Sequence, residues 1–253
     1  FMLGIPIEHR HKLRQYSLNI LGALDPVVSQ ERLDEGNFSV EEFGEVLSQI
    51  IDHRRSEQTP KSDGEILMSL ILGDVNGRRL TNTELIQNCI FLLNAGHETT
   101  TSMVANSMHM FFSAPDQLNL LKEDPDLITT AIEEGLRYES PLQVGNRVTT
   151  GEVELGGELL PTGTYIHTSI AGANRDPAEF NKPEEIDITR KPNRHVAFAL
   201  GHHVCLGATL ARMEGRIAIG ELVKRFPKIQ QTGPAISMGL ARFRGFNNMP
   251  VKI

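Results

Sequence analysis

The sequence predicts a mainly α-helical protein with a small β part, and three observations carry this prediction. Apolar residues recur at helical spacing through most of the first half of the chain. Thr81, followed three residues later by Glu84, forms a capping box at the start of a long apolar run. Between residues 147 and 169, short apolar segments alternate with pairs of glycine and proline turn residues, as in antiparallel strands joined by tight turns.

The first quarter of the chain predicts helices at residues 8–24 and 39–55, separated by a loop rich in Asp, Glu and Gly. A polar loop with Pro60 is expected at residues 56–64. A short apolar helix is then expected at residues 65–72, ended by Gly73 and the Asn76-Gly77 turn.

The capping box predicts one long helix from Thr81 to about residue 113. A further helix is expected at residues 126–138, since Pro141 stops helical continuation. Residues 174–193 contain three prolines and predict an irregular segment, which in a compact domain usually has a function. The remainder predicts a helix at residues 206–226, followed by turns and short strands at residues 234–253.

Composition excludes several classes of protein. The chain has 253 residues, 40% hydrophobic and 23% charged, as is ordinary for a globular protein. It lacks the run of about 18 apolar residues that a membrane span needs, and its net charge of −7 argues against nucleic acid as a partner. Two cysteines make no disulfide framework, so a cytoplasmic location is expected, with Cys89 as a buried apolar side chain.

Cys205 stands in the most informative segment, Phe198-Ala-Leu-Gly-His-His-Val-Cys-Leu-Gly207. A glycine turn precedes this thiol and a predicted helix follows it. Backbone N–H groups at a helix N-terminus, together with the positive end of the helix dipole, favour an anionic sulfur. Such a sulfur is suited to bind a metal ion rather than to fill a core.

Asn94-Ala-Gly-His-Glu-Thr-Thr100 lies in the middle of the long helix. Ala95 and Gly96 are small, so a flat ligand could lie against the backbone, and Glu98 and Thr99 would offer it a carboxyl and a hydroxyl. Alternatively, the small residues only allow two helices to pack closely. A second helical pair, Glu134 and Arg137, shares one helix face, where a carboxylate and a guanidinium can pair.

In chain order, A-G-x-E-T-T, E-x-x-R and F-x-x-G-x-x-x-C-x-G resemble the motifs of the cytochromes P450 of the bacterial, soluble type. The resemblance implies a cytochrome P450-like fold and a haem b whose iron is ligated by Cys205. It assigns oxygen activation to the acid–alcohol pair Glu98 and Thr99, and a buried structural brace to Glu134, Arg137 and Arg190. It also implies a set of cofactor-binding residues: Ala95, Gly96, Arg147, Phe198, His203 and Gly207. Of these, Arg147 and His203 match residues that bind the haem propionates.

The implied activity is that of a monooxygenase, which inserts one oxygen atom of O2 into a small hydrophobic organic substrate. From Arg190 to Lys228 the chain carries eight basic residues, opposed only by Glu214 and Glu221. The resemblance makes this segment a docking surface for an acidic ferredoxin-type electron donor. By itself, the charge pattern fits an ordinary solvated surface equally well.

Ala199 departs from the family pattern, which usually has glycine there, and alanine tolerates a positive φ poorly. The chain also starts at a point that resembles the interior of a normal P450, so we expect an N-terminally truncated fragment. That fragment would be a single haem domain of residues 1–253, helical over 1–140, β-rich and irregular over 141–200, with the cysteine loop, proximal helix and terminal strands in 201–253. Truncation would expose apolar surface, through which a homodimer could form.

Two other interpretations stay open. The chain could be a non-catalytic haem-binding or interaction module. It could also hold Zn²⁺ through His202, His203 and Cys205, although structural zinc sites need four convergent ligands.

Overall fold

A computed structural model describes residues 5–6, 9–57, 66–74 and 76–253. The predicted loop at 56–64 and the first four residues lie largely outside these ranges. By its internal contacts the chain divides into two compact units, Phe1–Glu98 and Thr99–Ile253, here called unit 1 and unit 2. The single domain expected from the sequence stays a prediction.

Eight α-helices and eight short strands occur within the described ranges, and the mainly helical class is confirmed. The helices are α1 (Arg10–Ala23), α2 (Gln30–Glu57), α3 (Ile66–Leu72), α4 (Asn82–Ser113), α5 (Pro115–Glu123), α6 (Ile128–Tyr138), α7 (Ile170–Ala173) and α8 (Ala208–Arg225). The strands are β1 (Val144–Val148), β2 (Val153–Leu155), β3 (Glu158–Leu160), β4 (Tyr165–Ser169), β5 (Gln230–Gln231), β6 (Ile236–Ser237), β7 (Phe246–Asn248) and β8 (Val251–Lys252).

Unit 1 is helical, and its core lies among α1, α2, α3 and the first half of α4. Phe43, Leu47 and Ile51 recur along one face of α2 and are fully buried in this core. Cys89 joins the same cluster as the predicted apolar filler, and burial raises the pKa of its thiol to about 11.

Helix α2 starts at residue 30, so the loop predicted before residue 39 is wrong over residues 30–38. Gly36 explains the difference, because it lies against Ala23 at the contact of α1 with α2. A Cβ at Gly36 would overlap the Ala23 side chain, so glycine here allows close helix packing rather than breaking the helix. Asn19 also donates to the Ser39 hydroxyl at 3.0 Å and ties the two helices together.

Helix α4 is the predicted long helix, and its capping box is confirmed. The Thr81 amide donates to Glu84 Oε2 at 2.8 Å, and the Glu84 amide donates back to Thr81 Oγ1 at 3.3 Å. The helix passes from unit 1 into unit 2 between Glu98 and Thr99.

Unit 2 packs α5, α6, α8 and the second half of α4 around a second apolar core that includes Phe111, Ile132 and Ile219. Its strands form four antiparallel pairs, β1 with β4, β2 with β3, β5 with β8 and β6 with β7. The pair of β1 and β4 sets Arg147 opposite Ile166. Residues 174–193 are irregular, as expected, whereas α5 was not anticipated.

Candidate functional site

The loop that carries Cys205 ends at the start of α8. Gly207 is the N-cap of that helix and makes no side-chain cap, so the first turn presents the positive end of the helix dipole on the side of Cys205. The Cys205 amide donates to the Phe198 carbonyl at 2.8 Å, which closes the loop. The Cys205 side chain itself is exposed. The structure therefore holds the backbone of Cys205 in place and leaves its sulfur accessible.

Two residues of this loop adopt left-handed backbone conformations. Gly201 has φ +64°, which glycine accommodates without strain, and Ala199 has φ +57°. Ala199 is therefore the strained position that the departure from the family pattern predicted. The short 3-10 turn Gly201–His203 follows it, and His203 is exposed there.

Three apolar residues close to Cys205 in the sequence are exposed. Leu200 is 71% exposed, Val204 57% and Leu206 93%. Where exposed apolar side chains form one patch, they can be covered by a ligand or a partner. A Cβ at Gly207 would lie 3.9 Å from Cys205 Sγ, in van der Waals contact, so residue 207 borders the sulfur.

The motif of the long helix spans the boundary of the two units, between Glu98 and Thr99. In unit 1, Ala95 and Gly96 are exposed, and a Cβ at Gly96 would meet no atom within 4 Å. Glu98 is 5% exposed, and its Oε1 lies 2.9 Å from Nδ1 of His97, whose pKa this hydrogen bond raises. In unit 2, Thr99 is half-buried on the next position of α4. His97, which the sequence left without a role, is thus a neighbour of the buried carboxylate.

Arg147 lies on β1 and is exposed, with Nη1 donating to the Asn146 carbonyl at 2.7 Å. Its side chain thus folds along its own strand. The structure brings Phe198, Cys205 and Gly207 together in one loop of unit 2. It places Arg147 and His203 on separate elements of the same unit, and Ala95, Gly96 and Glu98 in unit 1.

Glu134 and Arg137 form the expected brace, and both are fully buried. Two parallel hydrogen bonds of 2.8 Å join Arg137 to the Glu134 carboxylate. Arg137 also donates to the carbonyls of Asn174, Pro183 and Glu185 at 3.0, 2.8 and 3.2 Å. Arg190 donates to Glu134 from Nε at 3.2 Å. The brace therefore fixes the irregular segment that leads into the cysteine loop.

A second ion-pair cluster, which the sequence analysis missed, lies directly beside the loop. Arg212 donates to Glu133 through Nε at 2.7 Å and Nη2 at 2.9 Å, and His195 Nε2 lies 3.0 Å from the same carboxylate. Burial alone would raise the pKa of Glu133, but the hydrogen bonds from His195 and Arg212 lower it to about 2. Two features of the sequence could have indicated this cluster. Glu133 directly precedes Glu134, and Arg212 follows Cys205 by seven residues.

Only some of the basic residues between Arg190 and Lys228 are available on the surface. Arg190 and Arg212 are occupied by Glu134 and Glu133. The exposed basic residues of the segment are Lys191, Arg194, Arg216, Lys224, Arg225 and Lys228. Arg225 pairs with Glu221 at 2.7 Å, and Arg194 lies 3.7 Å from Glu179.

A sequence profile of the cytochrome P450 family matches residues 17–241. The biotin biosynthesis cytochrome P450 of Bacillus subtilis is 38% identical over 228 residues, which are 90% of this chain and 56% of that protein. The vitamin D(3) 25-hydroxylase of Pseudonocardia autotrophica is 36% identical over 260 residues, which are 99% of this chain and 60% of that protein.

Solved structures show the same likeness. The crystal structure of P450BioI in complex with an acyl carrier protein ligated to hexadec-9Z-enoic acid has a TM-score of 0.93 and 37% identity, covering 100% of this chain and 64% of that one. The bacillaene polyketide synthase cytochrome P450 PksS of Bacillus subtilis 168 has a TM-score of 0.88 and 32% identity. The chain thus spans less than two thirds of the length of these relatives.

The residues present fit a haem on its cysteine side. One accessible thiol precedes a helix N-terminus, in a loop that also exposes apolar side chains. A zinc site fits poorly, because among the described residues no three His, Cys, Asp or Glu side chains converge on one point. None of the described helices is both long and apolar enough to cross a membrane.

Proposed function

The chain belongs to the cytochrome P450 family, and we propose that it acts as a haem-thiolate monooxygenase on a small apolar organic substrate. One observation carries this proposal. Cys205 is exposed in a loop that is pinned at its backbone, opens onto apolar surface and leads into a helix N-terminus. Haem b bound through a cysteine thiolate supplies the activation of dioxygen and the transfer of one oxygen atom.

The chain's own residues have separate tasks in this proposal. Cys205 Sγ holds the iron, while Leu200, Val204 and Leu206 cover the apolar macrocycle and exclude water. Ala95 and Gly96 keep the surface of α4 low enough for a flat ligand, and Phe198 and Gly207 shape the loop. Arg147 and His203 provide cationic or N–H partners for the propionates.

Glu98 and Thr99 supply protons. The Glu98 carboxyl is buried and its Oε1 lies 2.9 Å from Nδ1 of His97, which places it as the first member of the relay. Thr99 is next to it on α4 and carries the hydroxyl that donates the proton to the reaction. In this proposal, Thr99 Oγ1 is the last group of the protein that carries the proton.

The absorption spectrum of the reduced protein with CO tests the ligand. We expect a strongly red-shifted Soret band that Cys205→Ala abolishes. Cys89→Ala, the only other cysteine variant, should keep the shift, because Cys89 is buried in the core of unit 1. Full haem loading without the shift would refute haem-thiolate ligation.

Thr99→Ala tests the proton supply. This variant should keep the spectrum but release reduced oxygen as peroxide, so that less product forms per electron consumed. Thr101→Ala, on the same helix, is the matched control. Normal coupling in the Thr99 variant would refute the role of its hydroxyl, and full haem loading without turnover in the unaltered chain would favour a non-catalytic module.

The electron donor in this proposal is an acidic ferredoxin-type protein. Opposite charges speed diffusional encounter, and salt weakens the effect. Arg216→Glu and Lys224→Glu should each slow reduction by the ferredoxin, by about tenfold together at low salt, whereas Lys182→Glu, outside the basic segment, should not. Equal rates in all variants would remove this surface from the proposal. The homodimer and the cytoplasmic location expected from the sequence stay predictions, which sedimentation and cell fractionation would test.

A further inference from the structure

Glu133 connects two branches that both end on the cysteine loop. It lies on α6, while Arg212 lies on α8 and His195 lies in the segment just before the loop. The His195 side chain is 2% exposed, the Glu133 side chain 23% and the Arg212 side chain 37%. The cluster is therefore partly shielded from water, where hydrogen bonds to charged groups are strong.

The first branch passes through Arg212. Arg212 Nε and Nη2 donate to the Glu133 carboxylate at 2.7 and 2.9 Å. This bidentate pair restricts the orientation of the guanidinium plane. The guanidinium carbon lies 4.5 Å from the centroid of the Phe198 ring, in cation–π contact. The carbonyl of Phe198 in turn accepts the Cys205 amide at 2.8 Å. Phe198 thus links the Glu133–Arg212 pair directly to the backbone of Cys205.

The second branch passes through His195. Its Nδ1 accepts the Ala197 amide at 3.2 Å, so the ring proton that reaches Glu133 is on Nε2, 3.0 Å from Oε2. The imidazole therefore bridges the Glu133 carboxylate to the backbone one residue before Phe198. Both branches therefore hold the same segment. His195 binds the Ala197 amide, and Arg212 contacts the Phe198 ring.

This cluster is separate from the Glu134 brace. Glu134 binds Arg137, Arg190, the Asp187 amide and Asn193, all before residue 195. Glu133 is the neighbour that reaches the loop itself. Adjacent residues on one helix point to different faces, so α6 holds the irregular segment with one carboxylate and the cysteine loop with the other.

We propose that Glu133 is a positioning residue for Cys205, acting through Arg212 and His195 on residues 197–205. The hydrogen bond to Glu133 also raises the pKa of Arg212, so its guanidinium stays charged. The proposal deepens the proposed function, because the loop it positions is the one that would ligate iron.

Amide hydrogen exchange of the full chain without haem tests the proposal independently of ligation. Glu133→Gln keeps an acceptor for His195 but loses the charge that holds Arg212. We expect the amides of Ala197 and Cys205 to exchange about tenfold faster than in the wild type, on the scale of one charge-assisted hydrogen bond. Glu221→Gln is the matched control, because it removes the exposed carboxylate that pairs with Arg225 on α8. That control should leave both amides unchanged.

Arg212→Lys gives the second variant, since it retains the charge but not the fork or the planar contact with Phe198. It should accelerate the exchange of Cys205 more than that of Ala197, which His195 still holds. Unchanged exchange at Cys205 in both variants, or an equal acceleration of every core amide of unit 2, would overturn the proposal. If Glu133→Gln does not fold, the Arg212→Lys result decides alone.

A spectroscopic measurement adds a readout that general destabilisation would not move. With haem bound, Glu133→Gln should convert part of the red-shifted CO band into an unshifted band, while Glu221→Gln should not. If the wild type itself lacks the shifted band, the proposed function fails, but the exchange experiment still judges the positioning role. The two failures are therefore distinguishable.

Discussion

The Glu134–Arg137 pair allows the sharpest test of how unit 2 is held together. Arg137→Met keeps an unbranched, largely apolar side chain but removes the guanidinium. The buried Glu134 carboxylate then loses its main positively charged partner. Both side chains are 0% exposed, so water cannot replace the lost partner. Breaking a buried pair in this way costs about 3–5 kcal/mol.

The remaining contacts raise this cost. Two backbone carbonyls, of Asn174 and Pro183, lose a charged donor, at about 1 kcal/mol each if left unpaired, whereas the Glu185 carbonyl keeps Arg190 as a donor at 3.0 Å. Arg190 still reaches Glu134 and returns part of the loss. We therefore expect a net loss of about 4–6 kcal/mol, a large fraction of the 5–15 kcal/mol of a typical domain.

Urea unfolding followed by circular dichroism measures the loss. The double variant Glu134→Leu with Arg137→Met removes the stranded carboxylate and should be more stable than the sum of the single variants, by about 2 kcal/mol. Arg225→Met, in an exposed pair on α8, should change stability by less than about 0.5 kcal/mol. An Arg137→Met variant within about 1 kcal/mol of the wild type, or additive single effects, would refute the argument.

Three further predictions concern single positions in unit 2. Gly201→Ala, at φ +64°, should cost about 1 kcal/mol in urea unfolding, whereas Ala199→Gly, at φ +57°, should be neutral or stabilising by less than about 1 kcal/mol; the opposite order would refute the assigned strain. Gly135→Ala would overlap the Ser107 side chain and should lower stability by about 1–3 kcal/mol, and Ser107→Ala should recover part of it in thermal melts. The pKa of Glu133 is lowered from 4.5 to about 2, so its stabilisation is complete above pH 4.5 and is lost as the pH falls toward 2; Glu133→Gln should flatten the stability profile in that window, and parallel profiles would contradict the assignment.

The predictions from local pattern were the most successful. The Thr81–Glu84 box located the start of α4, and the proline-rich composition of residues 174–193 indicated an irregular segment, because capping and proline effects act within a few residues. The predicted start of α2 was wrong because it depended on a contact with a residue distant in the sequence. Gly36 reads as a loop residue locally, but its use is to let two helices approach, which depends on Ala23 in another helix.

The same distinction applies to the candidate site. Sequence alone determined the family motifs, the cysteine proposed to ligate iron and the helix pair Glu134–Arg137, since each lies within one short segment. Only the tertiary structure decided that Arg212 is paired with Glu133, that His97 pairs with Glu98, and that Ala199 has a left-handed backbone conformation. Ion pairs between distant segments depend on packing geometry, which no local spacing encodes. Cys205 is thus recognisable from its own ten residues, while what holds it in place comes from side chains 7 to 72 positions away along the chain.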